Sequence, residues 1–538
     1  MKHYQKLLVL TLLCSLTPLL TLAQKNTYNF KQAVAALNNQ DIAKAKKLIF
    51  MDMGGNTKDP YDLFLLSLAY SIEKNVDSAF ISIDQAIKYM PKSDETYLYQ
   101  AYNYRAKLCE TCNDSEKQLA TYNDMVKALP KNVEALLLRA KFYANELEDY
   151  KHSKADLQKA LQLDAGNLDA MYTLGDLEFV QKNCDKAIDC YTKVLTANPN
   201  YVEARLHRSI AYNQLDKQDA SIEDLMELIK QDDTDGYDNL LARSDSAEIR
   251  EIIIKKLNAR AAADPTNGIW KHVLGSVYYR VADYPKAVAA YKEAFAIDKA
   301  AGSAYNVANT YYLQNLHQEA LEWIGKAEAQ ARKESENMQR YFSLHANIYD
   351  DMGRYDEAIK QFTMAADANP EKTTPLWDRA FTYMKMGKLK EALKDINAYD
   401  EKTEHDNGLV YLYRGWIYQQ LGNTMNTEGD FRKAIETDSI GTPSAATFIA
   451  QHFLHLDKQA LESLNKSLQE DTSAINYFYA ACFYAIKNDK PMAMRQIEIA
   501  VEKGYNSWST LRDFPFLKNM HGYKPYDDFI LARIKKKK

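Results

Sequence analysis

Residues Thr266 to Asp298, TNGIWKHVLGSVYYRVADYPKAVAAYKEAFAID, decide the fold. Leu274, Gly275 and Tyr278 lie on one helical stripe, because residues three and four apart share a face. After a polar turn, Ala287, Tyr291 and Ala294 form a second stripe. Small residues stand where two backbones must approach, and large ones fill the space beside them. The stretch therefore reads as two amphipathic helices folded into a hairpin. Its apolar stripes are too wide for one hairpin to bury alone.

The same spacing recurs along the chain. With each unit numbered from 1, bulky residues fall at 4, 7 and 11, small ones at 8 and 20, a ring or aliphatic at 24 and Ala at 27. Units beginning at 60, 168, 268, 301, 339, 373, 408 and 474 keep this pattern, as in Leu63, Leu66, Ser67, Tyr70, Ala79, Ile83 and Ala86. Looser units begin near 26, 94, 133 and 202, and residues 232–266 and 442–471 are degenerate. The pattern resembles the tetratricopeptide repeat, a helix–turn–helix unit of about 34 residues. That resemblance implies an all-α fold, a right-handed superhelix of about 12–14 such hairpins, each burying its stripe against its neighbours.

The chain has 538 residues, 46% hydrophobic and 26% charged, which is a globular composition. Residues 1–23 read as an export leader: Lys2, His3 and Lys6 precede the apolar run Leu7 to Leu22, and Thr21-Leu22-Ala23 offers small residues for cleavage. The expected location is therefore the periplasm or the outside of the cell. That apolar run is short for a spanning helix, and no later segment is apolar enough to span a membrane. The formal net charge is −5, and the leader removes two lysines but no acid. An acidic chain is a poor binder of nucleic acid, which needs phosphate neutralisation. The expected divisions are the leader at 1–23, an N-terminal array at 24–235, a joint at 236–267, a central array at 268–441, further repeats at 442–507, and a cap with a basic tail at 508–538. The cap, rich in aromatics and broken by Pro515 and Pro525, is expected to cover the last repeat.

Position 7 is Arg in the units holding Arg139, Arg208, Arg379 and Arg414, and position 23 is Asp in the same units: Asp156, Asp224, Asp395 and Asp430. An arginine half-buried between helices needs a carboxylate, so an Arg–Asp bridge within each hairpin is expected. Cys109 and Cys112 lie where a local disulfide or two free thiols are both open in an exported chain. The redox reading of this C-x-x-C lacks its strand–helix setting. His452 and His455 are three apart but lack further ligands, and Asp233, Asp235 and Gly236 supply only part of a calcium loop. No phosphate-cradling loop, zinc-protease motif or nucleophile elbow is present. Neither a metal nor a cofactor is expected.

In the repeat family, positions 2, 5, 9 and 12 of the first helix line the concave face. Carried over, the resemblance points to Tyr172, Phe179, Tyr279, Tyr305, Asn309, Tyr312, Arg340, Asn347, Trp377, Phe381 and Trp416 as a groove for a peptide. Rings give contact area at low entropy cost, and Asn pairs with peptide backbone. The expected function is a non-enzymatic scaffold holding a protein segment in that groove. The alternative is a structural subunit of an envelope assembly, for secretion or surface uptake, using its convex face and end cap. A metal or redox protein is a third reading.

Overall fold

The computed structural model describes residue 25 and residues 27–403, 407–437 and 443–535. The leader at 1–23 and tail residues Lys536, Lys537 and Lys538 lie outside the described residues. Among the described residues there are fourteen consecutive helical hairpins and no strand, running from Tyr28–Asn38 to Lys490–Glu502. The chain divides into two compact units, one ending at Leu240 and the other beginning at Leu241. The division falls inside the stretch 236–267.

Each hairpin follows from its local chemistry. The small residue at position 8 admits the ring at position 24. A methyl group at Gly175 would stand 2.6 Å from Tyr191, and one at Gly275 would stand 2.6 Å from Tyr291. Ala346 and Ala380 occupy the same position and are fully buried. In thirteen of the fourteen hairpins one turn residue takes positive φ, from Gln40 and Lys74 to His455 and Asn488. Many second helices then start on a capping side chain: Asp41, Asn75, Asp114, Asp149, Asp283 and Asp489 each accept the backbone N–H three residues on. Such caps are worth about 1 kcal/mol. The exception is the hairpin Thr234–Arg243 with Ala247–Ala263, which lacks a positive-φ turn residue.

The four arginines of position 7 meet their aspartates as forks. Arg379 donates from Nε and Nη2 to both carboxylate oxygens of Asp395 at 2.7 Å, and Arg139 does the same with Asp156. Arg208 and Arg414 hold Asp224 and Asp430 at 2.7–2.9 Å. The third nitrogen of each reaches back to the preceding hairpin: Asn123, Thr192, Thr363 and Asn397 accept from Nη1. Each arginine therefore ties three helices, two in its own hairpin and one before it. The guanidinium is planar and offers parallel donors, so a lysine there would lose the geometry.

Cys109 and Cys112 form no disulfide. The first helix of that hairpin, Glu95–Thr111, is longer than usual and carries Cys109 on its buried face, with Sγ 3.9 Å from the Thr121 hydroxyl. Cys112 caps the helix and is exposed, so the two thiols face apart. The extra residues lengthen a helix rather than a turn.

Candidate functional site

Within each unit the first helices pack side by side, and the eleven carried-over groove residues lie on them. In the N-terminal unit, Tyr172 and Phe179 lie half-buried on helix Leu168–Val180. Tyr172 belongs to an aromatic shelf with Tyr191, Tyr201 and His207, with ring centroids 5.4–6.0 Å apart. Asp176 anchors it, accepting from the Tyr191 hydroxyl at 2.7 Å and pairing with His207 Nδ1 at 2.7 Å. Tyr201 donates to Asp169 at 2.9 Å. Burial, then the charge of Asp176, holds the Tyr172 and Tyr191 phenols well above their ordinary values.

In the C-terminal unit the groove residues divide into two groups. Toward its beginning, Asn309 donates to the Tyr279 hydroxyl at 3.1 Å. Arg340 stays exposed and lies 5.3 Å from the Tyr305 ring, while Asn347 is half-buried. The rest of the face, from Tyr312 through Asp350 and Asp351 to Trp416, is occupied by the chain itself. After the last hairpin, helix Trp508–Asp513 and the 3₁₀ turn Pro515–Met520 fold back across it. Asn506 donates to the Leu313 carbonyl at 3.5 Å, and Ser507 to Asp351 at 2.9 Å. Ser509 donates to Asp351 at 3.1 Å and to Asp350 at 3.3 Å, and accepts from Lys385 at 3.2 Å. Arg512 and Asp513 hold the Tyr355 hydroxyl. Phe514 stacks on Phe381 at 5.7 Å, and Phe516 meets Trp416 at 5.5 Å and Tyr413 at 5.7 Å.

This bears on two expectations. The end segment does pack on the last hairpin, Ala474–Ile486 with Lys490–Glu502, but it also runs on across the three hairpins between 339 and 437. Trp377, Phe381 and Trp416 are accordingly partly buried and packed against the core: Trp377 lies 4.8 Å from Tyr399 and 5.8 Å from Tyr413. A cavity of about 580 Å³ remains beside the segment, lined by Met384, Trp416, Phe453 and Phe516 among others. Leu511, Phe514, Phe516, Leu517 and Met520 are all buried, each worth about 1.5–3 kcal/mol. A closure that deep is part of the fold rather than a loose cover.

The carried-over positions also missed members of the face. His207, Asp378 and Tyr413 stand at position 6, and Asp351 and Lys385 at position 13. On a helix, 2, 6, 9 and 13 follow the same stripe as 2, 5, 9 and 12, one step to the side. Burial raises Asp351, and it pushes Asp378 up to about 7 with help from Asp350 nearby. Elsewhere, His452 pairs with Asp457 at 2.5 Å, and Asp233 caps the Gly236 N–H at 2.7 Å.

Stacked hairpins that share an inner wall define a helical-repeat scaffold for protein–protein interaction. The chain carries tetratricopeptide repeats: family models described as tetratricopeptide repeat match residues 172–236 and 272–335, and 133–167 and 340–372. It is similar to a TPR repeat-containing protein, MJ1428, of Methanocaldococcus jannaschii, 26% identical over 66% of this chain and 73% of that one. Human DnaJ homolog subfamily C member 7 is 31% identical, over 20% of this chain and 21% of its own length. The chain thus spans only about a fifth of that second relative. Among solved structures, a tetratricopeptide repeat protein from Parabacteroides merdae is 16% identical, over 52% of this chain and 97% of that one, at a TM-score of 0.31. YrrB, described as a TPR protein with an unusual peptide-binding site, also gives 0.31, at 19% identity over 37% of this chain and 97% of that one. Among the described residues, no helix is long and apolar enough to cross a membrane.

Proposed function

We propose that this chain is a non-enzymatic scaffold that holds a segment of a partner protein along its first-helix face. The observation that supports this is the chain's own residues 506–516. They lie on that face through hydroxyl–carboxylate hydrogen bonds and stacked rings, so its chemistry suits a non-repeat segment. The stretch from Phe381 to Trp416 is taken, which leaves Tyr172 and Phe179 in one unit and Tyr279, Tyr305 and Arg340 in the other. Residues 1–23 support placing this work outside the cytoplasm. The inward turn of the end segment counts against the envelope-subunit reading in which that segment makes the outward contacts.

The test is photo-crosslinking in the cells that make the protein. A crosslinking residue at 172, 179 or 279 should give protein adducts, and one at Asp189 or Glu322, on exposed second-helix faces, should give few. Adducts concentrated at 189 and 322 would overturn the reading.

A further inference from the structure

The uncovered face in the N-terminal unit carries a consistent charge. Position 2 is acidic in four successive hairpins, Glu95, Glu134, Asp169 and Glu203, and all four are exposed. Acids in a first helical turn are common because they suit the helix dipole. Asp176 has no such reason to be there: it stands at position 9, in mid-helix, half-exposed within the aromatic shelf. The corresponding position 2 in the regular repeats of the C-terminal unit is Ile269, Gly302, Arg340, Thr374, Leu409 and Ile475, so the acidic position 2 is particular to the N-terminal unit. Beside the acids the shelf offers apolar contact: Phe179 and Ile210 are half-buried and Val180 is exposed. The tyrosines register the field. After burial, Asp176 and Glu203 are among the groups that hold the Tyr172 phenol up, and Asp169 and Glu203 among those that act on Tyr201. Position 9 of the preceding hairpin is Lys141, so the mid-helix acid does not extend to that repeat.

Resting on the reading that this face takes a protein segment, we propose that residues 169–210 recognise a basic one. Its arginine or lysine charges would sit among Asp169, Asp176 and Glu203, and its apolar side chains against Phe179, Val180 and Ile210. A cation here gains from carboxylates and from aromatic faces together. The attraction is to a flexible chain with spaced charges, so it falls with added salt.

The experiment uses the full chain and two pools of fluorescent nine-residue peptides, identical except for Arg and Lys or Asp and Glu at alternate positions. The basic pool should bind at least tenfold more tightly than the acidic pool in low salt. Asp176→Asn with Glu203→Gln should weaken the basic pool at least fivefold. Asp185→Asn with Asp189→Asn removes the same charge from the second helix of the same hairpin and should leave binding within twofold. Equal binding of the pools, or equal loss in both double variants, would overturn the proposal by showing a merely acidic surface. Circular dichroism melts check that both variants fold. If photo-adducts form at 172 while the pools bind alike, only the charge inference fails; if neither occurs, the reading of the face fails with it.

Discussion

The same register of the same repeat has opposite fates in the two units. At position 6, His207 keeps 39% of its side-chain surface while Tyr413 keeps none. At position 13, Val180 is 56% exposed and the Lys385 side chain 3%. Nothing in the repeat pattern itself separates these cases: all four hairpins set a small residue at position 8 against a bulky one at position 24, and three of the four carry the arginine fork. The difference is what lies on top: residues 506–516 in one unit and no described residue in the other. A repeat face is therefore a surface whose role depends on what else the chain sends to it.

The largest effect should come from breaking the seal. Phe514→Ala or Phe516→Ala should each cost about 3–5 kcal/mol, read from urea unfolding followed by hydrogen exchange in 374–420. On the open face Phe179→Ala should cost under about 1 kcal/mol, and a larger loss would mean that the open face is also core. Next comes the fork. Arg379→Leu should cost about 2–4 kcal/mol by stranding Asp395, and Arg208→Leu a similar amount in the other unit. A double-mutant cycle with Asp395→Asn checks the coupling. Gly175→Ala and Gly415→Ala should each cost about 1–3 kcal/mol by pushing a methyl into Tyr191 or Phe431. Gly325→Ala, with nothing within 4 Å, should instead gain up to about 1 kcal/mol in a helix.

The smallest effect is one of pH, and of the two faces the sealed one should show it. Asp378 is held up to about 7 by burial, then by Asp350, and the Lys385 charge only partly offsets this. The folded chain keeps a proton that the unfolded chain releases near pH 4. The contribution of Asp378 to stability therefore falls as pH rises from about 4 to 7 and levels off above. Asp378→Asn should flatten that slope, and protection of 506–513 from hydrogen exchange, corrected for intrinsic rates, should then no longer decline toward pH 8.

Much of this was legible in the sequence. The glycine and alanine of position 8 and the rings of position 24 fix the hairpins, and the joint appearance of Arg at 7 with Asp at 23 gives the forks. Both are short-range patterns. The arginine's third donor was hidden because its acceptors, Asn123, Thr192, Thr363 and Asn397, belong to another repeat and are divided between two residue types. The seal was hidden for a stronger reason. Ser507 and Asp351 are 156 residues apart, and WSTLRDFPF has aromatics and a proline but no period to say where it goes. Position 6 was missed because the carried-over stripe was taken one step too narrow, which left out His207 on the open face and Tyr413 on the sealed one.

Hydroxyl-radical footprinting of the intact chain, read residue by residue, compares both faces in one sample without a substitution. Met425, 88% exposed, calibrates methionine reactivity, and Met384, 1% exposed, stands at position 12 of its repeat as Phe179 does of its own. The account predicts that Met425 and Phe179 are oxidised while Met384 stays protected. Oxidation of Met384 at a rate near that of Met425 would show that the end segment does not lie on that face.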